Sequence, residues 1–346
     1  MQTFWKKWRA ELVRGSAIFI VVVASGLLLV SAFAKAKAKA ASAGGNALGQ
    51  VMTAISASLG GNFDDPGRHH GDTWSWHAKV TPGQTLSLRN LNGPVEVSAA
   101  TGTETVVTAE KSWLNSDPAS VTIEAVPTSS GTMVCAVFPG SNGGECAPGH
   151  DVNVHLNGRQ HNDVVVKFVV QVAPGVKVDV GSVSGDVKVA GATSAVGVNT
   201  VSGDISVETS SWPVTLSTVS GDITASTGAA AAGSSEVKSV SGDVTLQVPS
   251  KTDLFVSAHS ISGDISDDFD LPVQEAKFGS SQSLSGTIGK GGGTLNINTV
   301  SGDISLNKAT VSTVQVLTAK KHGVTAVRVT ATPPAAPAAP AAPAHP

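Results

Sequence analysis

The chain has little of what charged or aromatic binding surfaces use. It contains no tyrosine, its aromatic content is 4%, and its charged residues make up 14%, against about 25% in an average soluble protein. The net charge is −3 at pH 7, and no basic patch with interleaved aromatics follows residue 40. These shortages argue against nucleic acid as a partner.

Sequence motifs of catalytic sites are missing as well. No Gly-x-Ser-x-Gly sequence occurs, and residues 176–310 contain a single histidine, His259. Asp267 and Asp268 are adjacent, but neighbouring positions of a strand point to opposite faces. We therefore expect no enzyme, no catalytic residue and no cofactor. A carbohydrate-active enzyme built on a β-helix is the less favoured alternative, because it needs acids clustered in one groove.

Only two cysteines are present, Cys135 and Cys146, and the stretch between them is rich in glycine. Two thiols are too few for a zinc site, which normally has four ligands. Because other features indicate export, we expect a disulfide between them that closes a short loop. Two free thiols are the alternative.

One tripeptide, Ser-Gly-Asp flanked by Val or Ile, is abundant. Its copies start at Ser184, Ser202, Ser220, Ser241, Ser262 and Ser301. A degenerate copy, Ser285-Gly286-Thr287, lies in the longest gap. Counted from serine to serine with this copy included, the steps are 18, 18, 21, 21, 23 and 16 residues. Repeats of this length predict a stacked solenoid rather than a globular enzyme core.

Each repeat has the pattern of a strand, a corner and a second strand. Val214, Leu216 and Ile223 alternate with polar residues around the third copy, which places one set of side chains on a buried face. We predict an all-β fold, a β-solenoid or β-roll of short strands, preceded by one N-terminal transmembrane or signal helix. Glycine supplies the positive φ that tight corners need. The predicted corner glycines are Gly93, Gly185, Gly203, Gly221, Gly242, Gly263, Gly286 and Gly302.

The repeats also align six aspartates, one on each rung. They are Asp186, Asp204, Asp222, Asp243, Asp264 and Asp303. In strict register, neighbouring carboxylates lie roughly 5 Å apart and repel one another. A calcium ladder is one hypothesis, because glycine- and aspartate-rich solenoids bind calcium. The favoured interpretation is that each aspartate caps its own turn and points to water, and that no metal is bound.

The N-terminus has the pattern of a membrane signal. Four basic residues lie in the first 15, and residues 16–34 carry no charge and are long enough to cross a bilayer as a helix. The basic flank favours a cytoplasmic N-terminus and an exported remainder. Lysines follow at once, so we expect an uncleaved anchor with the C-terminal bulk in the periplasm or at the cell surface. Secretion after cleavage near Ala34 is the alternative.

The chain divides into five predicted segments. They are a cytoplasmic basic stub at 1–15, the transmembrane or signal helix at 16–34, a flexible linker at 35–72, a β-repeat domain at 73–330 with its regular array at 176–307, and a disordered tail rich in proline and alanine at 331–346.

Histidines, acids and tryptophans outside the array are weaker candidates for a site. One polar cluster has no trusted metal motif, and we interpret it as solvated linker: Asp64, Asp65, His69, His70, Asp72 and His77. A loop before the array carries His150, His155 and His161. Three tryptophans are able to stack on sugars, but packing over an open end of the solenoid is favoured: Trp74, Trp76 and Trp113.

Three stretches together resemble the bacterial DUF4097 family. They are "LSLRNLNGPVEV" at 86–97, "VVQVAPGVKVDV" at 169–180, and the serial "VSGDI" copies. The resemblance covers about residues 73–318 and implies a β-solenoid in an exported, envelope-associated protein of candidate adhesin type, with no established catalytic residues. The Cys135–Cys146 loop, the proline-rich tail and the broken copy at Ser285 depart from the plainest family pattern.

The predicted function is therefore adhesive or structural, at the cell envelope, without catalysis. The expected partner is a glycan or protein of the envelope. We also expect the N-terminal helix to attach the protein to the membrane. An envelope stress sensor or scaffold that acts through this helix is the alternative. The end rungs also leave self-association open.

Overall fold

The computed structural model describes residues 62–139, 146–147, 162–228, 233–276 and 280–309. All of these residues belong to one compact unit, Asn62–Pro346. In this part of the chain, no helix is long and apolar enough to cross a bilayer. The described residues leave out the basic stub, the apolar segment 16–34, residues 35–61 of the linker, residues 310–330 of the predicted β domain and the proline-rich tail. The predictions for these segments stay predictions.

Among the described residues the fold is all-β, as the alternation of apolar and polar residues predicts, with one short 3-10 turn at Pro118–Ser120. The strands are β1 (His69–Ala78), β2 (Thr85–Asn92), β3 (Val95–Ala99), β4 (Thr105–Trp113), β5 (Thr122–Thr128), β6 (Gly131–Val137), β7 (Val165–Val172), β8 (Lys177–Ser184), β9 (Val187–Ala192), β10 (Val196–Asn199), β11 (Ile205–Thr209), β12 (Val214–Ser220), β13 (Ile223–Ser226), β14 (Gly233–Ser241), β15 (Val244–Pro249), β16 (Leu254–Ser262), β17 (Ile265–Asp267), β18 (Val273–Glu275), β19 (Gln282–Ile288), β20 (Gly293–Ser301) and β21 (Ile304–Ala309).

The strands form two sheets. Sheet A has the order β1-β4-β7-β3-β9-β11-β13-β15-β21-β17, and sheet B has the order β18-β19-β16-β20-β14-β12-β10-β8-β2-β6-β5. A rung is one sheet-B strand, a corner, and the sheet-A strand that follows it. In the described part of the chain, seven rungs turn at a glycine corner, and the first of them uses Asn92-Gly93 where the later ones use Ser-Gly.

Neighbouring rungs pair in parallel and in register. Ile205 pairs with Ile223 on β13, and Ile223 pairs with Val244 on β15. Both isoleucines are almost fully buried, as is Leu216 on the facing sheet B. Each rung adds four or five buried side chains to one continuous core. Burial of a Val, Leu or Ile side chain contributes about 1.5–3 kcal/mol to the free energy of folding.

The spatial order of the rungs differs from their order in the chain. At the C-terminal end, rung β20–β21 lies between β14–β15 and β16–β17, although β16–β17 follows β14–β15 directly in sequence. At the N-terminal end, β6 and β7 flank rung β2–β3 on the side away from β8–β9. A stack of similar repeats accepts such permutations because every rung offers its neighbours the same edge.

Gly286 is a correction to the sequence analysis. It lies inside strand β19, antiparallel to β16 and opposite Val256, and its φ is outside the left-handed region. Ser285-Gly286-Thr287 is therefore not a degenerate corner. The long gap between Ser262 and Ser301 holds an antiparallel excursion, β18 and β19, which the serine spacing could not distinguish from a missing rung.

The start of the β domain is a second correction, because β1 begins at His69 rather than at residue 73. Phe63 and Arg68 are buried in front of it. The Arg68 guanidinium donates to the Ser112 hydroxyl at 3.0 Å, to the Ser112 carbonyl at 3.0 Å and to the carbonyl of Asp163. These contacts attach residues 62–72 to the fold, so this stretch is not a flexible linker, although its acidic and histidine side chains are exposed as predicted.

Antiparallel strands flank the stack at its N-terminal end and, on sheet B, at its C-terminal end; on sheet A the described stack ends at β17. At the N-terminal end the edges are β1, paired with β4, and β5, paired with β6. At the C-terminal end, β19 and β18 extend sheet B beyond β16. Trp74 and Trp76 on β1 face Ala109 and Val107 and pack against the core, as the end-cap interpretation predicts. Pro127 in edge strand β5 lacks an N–H for a further strand.

The two cysteines form the predicted disulfide. Cys135 lies on β6 and joins Cys146, with Cα atoms 5.8 Å apart. Together with Met133 they make a small buried cluster of their own. Val134, the residue between, belongs to the main core. The disulfide therefore covers the outer face of β6 while the inner face packs in the solenoid.

Asp163 ties the N-terminal end together. Its carboxylate accepts backbone N–H bonds from Leu114 at 3.0 Å, Asn115 at 2.9 Å and Ser116 at 3.2 Å. Burial alone would raise the pKa of Asp163, but these bonds and the Ser116 hydroxyl outweigh it and lower the pKa below its usual value. Burial lowers the pKa of Arg68, and the charges of Asp163 and Asp65 oppose that shift.

We expect Asp163→Asn to destabilise the protein by about 2 kcal/mol at pH 7, because it replaces charge-assisted bonds to the backbone. The folded pKa is depressed, so the stabilisation is complete above the unfolded value of about 3.9 and is lost as pH falls through the folded pKa. Urea unfolding of both proteins from pH 7 to pH 2 measures this. The exposed Glu104→Gln serves as control, and a gap that does not narrow in acid contradicts the assignment.

Candidate binding surface: the corner ladder and its flanking rows

Backbone hydrogen bonds join each corner to the next. Gly203 N–H donates to the carbonyl of Ser220 at 3.1 Å, and Ile205 N–H donates to the carbonyl of Asp222 at 2.9 Å. The same two bonds recur between successive corners along the stack, with lengths between 2.7 and 3.1 Å. The corners therefore form a ladder that holds the two sheets in one register.

Only glycine fits at the centre of a corner. Gly221 has φ 143°, and a Cβ on it would lie 2.3 Å from the carbonyl oxygen of Gly203. The clash is with backbone on the neighbouring rung, which cannot move without breaking the ladder. The other corner glycines have φ between 121° and 152° and a Cβ position within 2.4 Å of a neighbouring carbonyl: Gly93, Gly185, Gly203, Gly242, Gly263 and Gly302.

The corner aspartates cap the neighbouring rung rather than their own turn, which corrects the favoured interpretation. Oδ1 of Asp186 accepts the backbone N–H of Asp204 at 2.9 Å, and Oδ1 of Asp204 accepts that of Asp222 at 2.9 Å. The row continues through the remaining three aspartates in spatial order, Asp243, Asp303 and Asp264. The row therefore crosses the exchanged rung without a break.

Gln282 ends the row, and sequence reasoning missed it. Its Nε2 donates to Oδ1 of Asp264 at 3.1 Å, while its Oε1 accepts the N–H of Ile265 at 2.7 Å. The amide thus supplies both partners that a further rung would supply. Nothing in the local sequence of β19 signals this role, because it depends on β19 returning beside the last corner.

The row of carboxylates is exposed, and in the described part of the chain none of the six forms an ion pair. Within those ranges, no group of three or more His, Cys, Asp or Glu side chains is arranged to hold a metal ion. One carboxylate per rung therefore gives a line of negative charge along the corner. Calcium binding by this line stays the less favoured hypothesis, and nothing in the described residues tests it.

An aliphatic row runs beside the corner on the sheet-B side. The residue before each corner serine is Val or Ile, and the five toward the C-terminal end are between 43% and 53% exposed: Val201, Val219, Val240, Val300 and Ile261. The flanking register pairs, such as Ser239 with Thr299, place them on adjacent strands. At a strand spacing of about 4.8 Å, the row is about 19 Å long.

The outward faces of both sheets are polar and equally regular. On sheet A, one hydroxyl residue stands on each of five adjacent strands: Ser206, Thr224, Thr245, Ser305 and Ser266. On sheet B, the corresponding row is Asn199, Ser217, Lys238, Asn298 and His259. These rows offer hydrogen-bond donors and acceptors at one fixed spacing along the stack.

A buried polar row inside the corner was not predicted either. The residue two positions before each corner serine or Asn92 is polar and almost fully buried: Asn90, Ser182, Thr200, Thr218, Ser239, Thr299 and Ser260. Ser260 donates its hydroxyl to the carbonyl of Gly302 at 3.1 Å, and Asn90 Nδ2 donates to that of Gly93 at 2.9 Å. The recurring Thr or Ser before Val-Ser-Gly-Asp was the available signal.

The weaker candidates do not assemble into a site in the described residues. His69, His70, Asp72 and His77 lie on β1, where His69 contacts Trp113 and His70 contacts the edge of Phe63. Asp72 pairs with the Lys111 ammonium. The loop histidines His150, His155 and His161 lie outside the described residues.

A family model, Toastrack DUF4097, matches residues 78–307, which is more than half of the chain. The chain belongs to the Toastrack DUF4097 family. The match ends at the last glycine-cornered rung described, so the permuted C-terminal end falls inside the family region. A comparison with curated proteins finds no match.

Two solved structures are similar to this DUF4097 chain. One is a candidate cell adhesion protein from Clostridium sporogenes ATCC 15579, with 10% identity, a TM-score of 0.38, and coverage of 68% of this chain and 100% of that one. The other is a candidate adhesin from Bacteroides fragilis NCTC 9343, with 8% identity, a TM-score of 0.28, and coverage of 68% and 97%. At these TM-scores, neither likeness carries an argument.

Three alanine variants separate the two reasons for glycine at a corner. Gly102 has open space around it and lacks a left-handed φ, so Gly102→Ala should change stability by less than about 0.5 kcal/mol. Gly83 has open space but φ 90°, so Gly83→Ala should cost about 1–2 kcal/mol. Gly221→Ala adds the backbone clash and should cost about 4 kcal/mol or more. Thermal and urea unfolding rank the three; equal losses at Gly83 and Gly221 would refute the close approach.

Two variants test the aspartate row. Asp222→Ala removes the acceptor of the Asp243 N–H, which is 2.8 Å away, and should cost about 0.5–1.5 kcal/mol. Asp222→Asn keeps an acceptor oxygen and lowers the repulsion along the row, so it should match the parent or exceed it at low salt. The difference in unfolding free energy between Asp222→Asn and the parent should shrink as salt rises, because salt screens the repulsion between the aspartates. Chemical unfolding at two salt concentrations measures both, and an Asn variant as weak as the Ala variant contradicts the capping role.

Proposed function

We propose that this protein is a non-enzymatic, exported and membrane-associated β-repeat protein with an adhesive or structural role at the cell envelope. The observation that carries the proposal is the regular outer surface, where each of five adjacent rungs repeats a hydroxyl, a carboxylate and an aliphatic side chain. Such a surface suits a partner that is itself repetitive, because weak contacts at fixed spacing add up through multivalency.

A polysaccharide or a repetitive protein of the envelope has this chemistry. The hydroxyl row on sheet A pairs with ligand hydroxyls, while the aspartate row favours uncharged or cationic ligands over anionic ones. Basic residues followed by the uncharged apolar segment 16–34 support the part of the proposal that concerns export and membrane association.

Protease treatment of intact cells tests the location. With an epitope before residue 16 and another in the array, we expect the array to be digested from outside while the N-terminal epitope stays in the membrane fraction. If the array is protected until the envelope is opened, adhesion to other cells is wrong. In that case a scaffold or sensor within the envelope takes its place.

Matched lysine variants test the binding face. Thr224→Lys places a bulky charge within the sheet-A hydroxyl row. Thr215→Lys places the same charge on the outer face of sheet B, and both positions are exposed. We expect Thr224→Lys to lower binding to purified envelope fractions several-fold and Thr215→Lys to leave it unchanged, with equal melting temperatures. Equal binding by both variants contradicts the assignment of this face.

A further inference from the structure

The rung that lies out of sequence order, β20–β21, lies between two rungs that precede it in the chain, and we call this position the slot. On sheet B, Lys238 of β14 is in register with Asn298 of β20, and Asn298 is in register with His259 of β16. On sheet A, β21 lies between β15 and β17 in the same way. Without β20–β21, β14–β15 has an unpaired edge on both sheets, and β16–β17 loses its parallel neighbour.

One short segment connects this rung to the strands before it. Strands β19 and β20 lie on opposite sides of β16, so residues 289–292 cross over the start of β16. Three of these four residues are glycines. Asp253 holds the crossing: its Oδ1 accepts the N–H of Lys290 at 2.7 Å, and its carbonyl accepts that of Gly293 at 3.2 Å.

The slot recognises features that every copy of the chain carries. Gly242 N–H donates to the Ser301 carbonyl at 3.1 Å, and Gly302 N–H donates to the Ser262 carbonyl at 3.0 Å, so both edges of the slot use the common corner ladder. The rung also fills the core with four almost fully buried side chains, Leu295, Ile297, Ile304 and Leu306. A second copy supplies all of these groups in the same geometry.

The order of synthesis leaves the slot open for a time. Synthesis runs from the N-terminus, so residues 254–288 of β16 to β19 emerge before residues 293–309. A neighbouring copy whose synthesis is complete carries an identical β20–β21 rung. By contrast, antiparallel strands flank the stack at its N-terminal end and on sheet B at its C-terminal end, where Gln282 also caps the last corner, so these edges are poorer sites for association.

We propose that the slot between β14–β15 and β16–β17 is an assembly site that accepts the β20–β21 rung of a second copy of this chain. Two copies that exchange rungs reciprocally make a closed dimer, and one-way donation makes an open chain of copies. Either assembly multiplies the outer rows without a new surface. The inference does not depend on the proposed envelope function.

Cysteine pairs across the slot test the exchange in the full-length protein. Lys238→Cys and Asn298→Cys are placed on separate chains, which are unfolded together, refolded and mildly oxidised. Their positions are outward-facing register partners, so exchange brings them within disulfide distance. We expect a reducible heterodimer several-fold above the matched control, Ser217→Cys with Lys238→Cys. These control residues are also register partners, but both lie on the same side of the slot.

The double variant Lys238→Cys/Asn298→Cys in one chain checks the geometry. It should form its disulfide within the monomer and also within any dimer. If this disulfide forms while the mixed chains give no more heterodimer than the control, the exchange is refuted. If it forms in neither species, the register of the slot is wrong and the proposal fails with it.

Shortening the crossing gives an independent test. Residues 289–292 span two strand spacings, roughly 10 Å, to pass over β16. Deletion of Gly291 and Gly292 shortens the connection between β19 and β20, so it strains the fold in which both strands lie in the same copy. Short strained hinges favour exchange of the segment that follows them with a second copy. Light scattering after size exclusion should show a shift from monomer toward dimer or longer chains. A folded deletion variant that stays monomeric counts against the proposal, and the cysteine pairs decide the matter if the variant does not fold.

Discussion

The structure depends on how closely backbones approach at the corner. Each corner glycine after Gly93 lies against the carbonyl of the preceding corner glycine in the stack. A Cβ on Gly221 would be only 2.3 Å from the Gly203 oxygen. This approach allows Ser and Asp carbonyls to accept N–H groups from the adjacent rung along the whole stack. Sheet A and sheet B share one register because the corner is a continuous ladder, and the alternating core residues then meet between them.

Several polar groups near the corner satisfy the backbone, whereas four hydroxyls of the buried polar row have no hydrogen-bond partner among the described residues: Ser182, Thr200, Ser239 and Thr299. Outside, each aspartate accepts the N–H of the next, and Gln282 completes the last position. Inside, Asn90 and Ser260 donate to corner carbonyls. The line of carboxylates is thus a structural device whose charge is also a property of the surface, and it biases any ligand of the outer rows toward neutral or positive groups.

Regularity has a second consequence, which is that rungs are interchangeable. Because every edge offers the same hydrogen bonds, the chain can place β20–β21 between two rungs that precede it in sequence without disturbing the aspartate row. The antiparallel strands at both ends then serve a different purpose from the rungs. They end the ladder, where a further parallel strand would otherwise find unpaired N–H and carbonyl groups.

Much of one rung was predictable from the amino-acid sequence. The period of two around Val214 and Ile223, the glycine of each Ser-Gly-Asp copy and the Asn92-Gly93 opening are local signals, because strand faces and positive φ depend on neighbouring residues. The pairing of Cys135 with Cys146 also followed from there being only two cysteines. Tertiary structure decided what the sequence left undetermined: which rung lies beside which, that Gly286 is inside a strand, and that each aspartate caps its neighbour. Similar repeats have nearly equal edges. Their order in space therefore depends on long-range packing and on the antiparallel strands at the edges of the stack rather than on any local pattern.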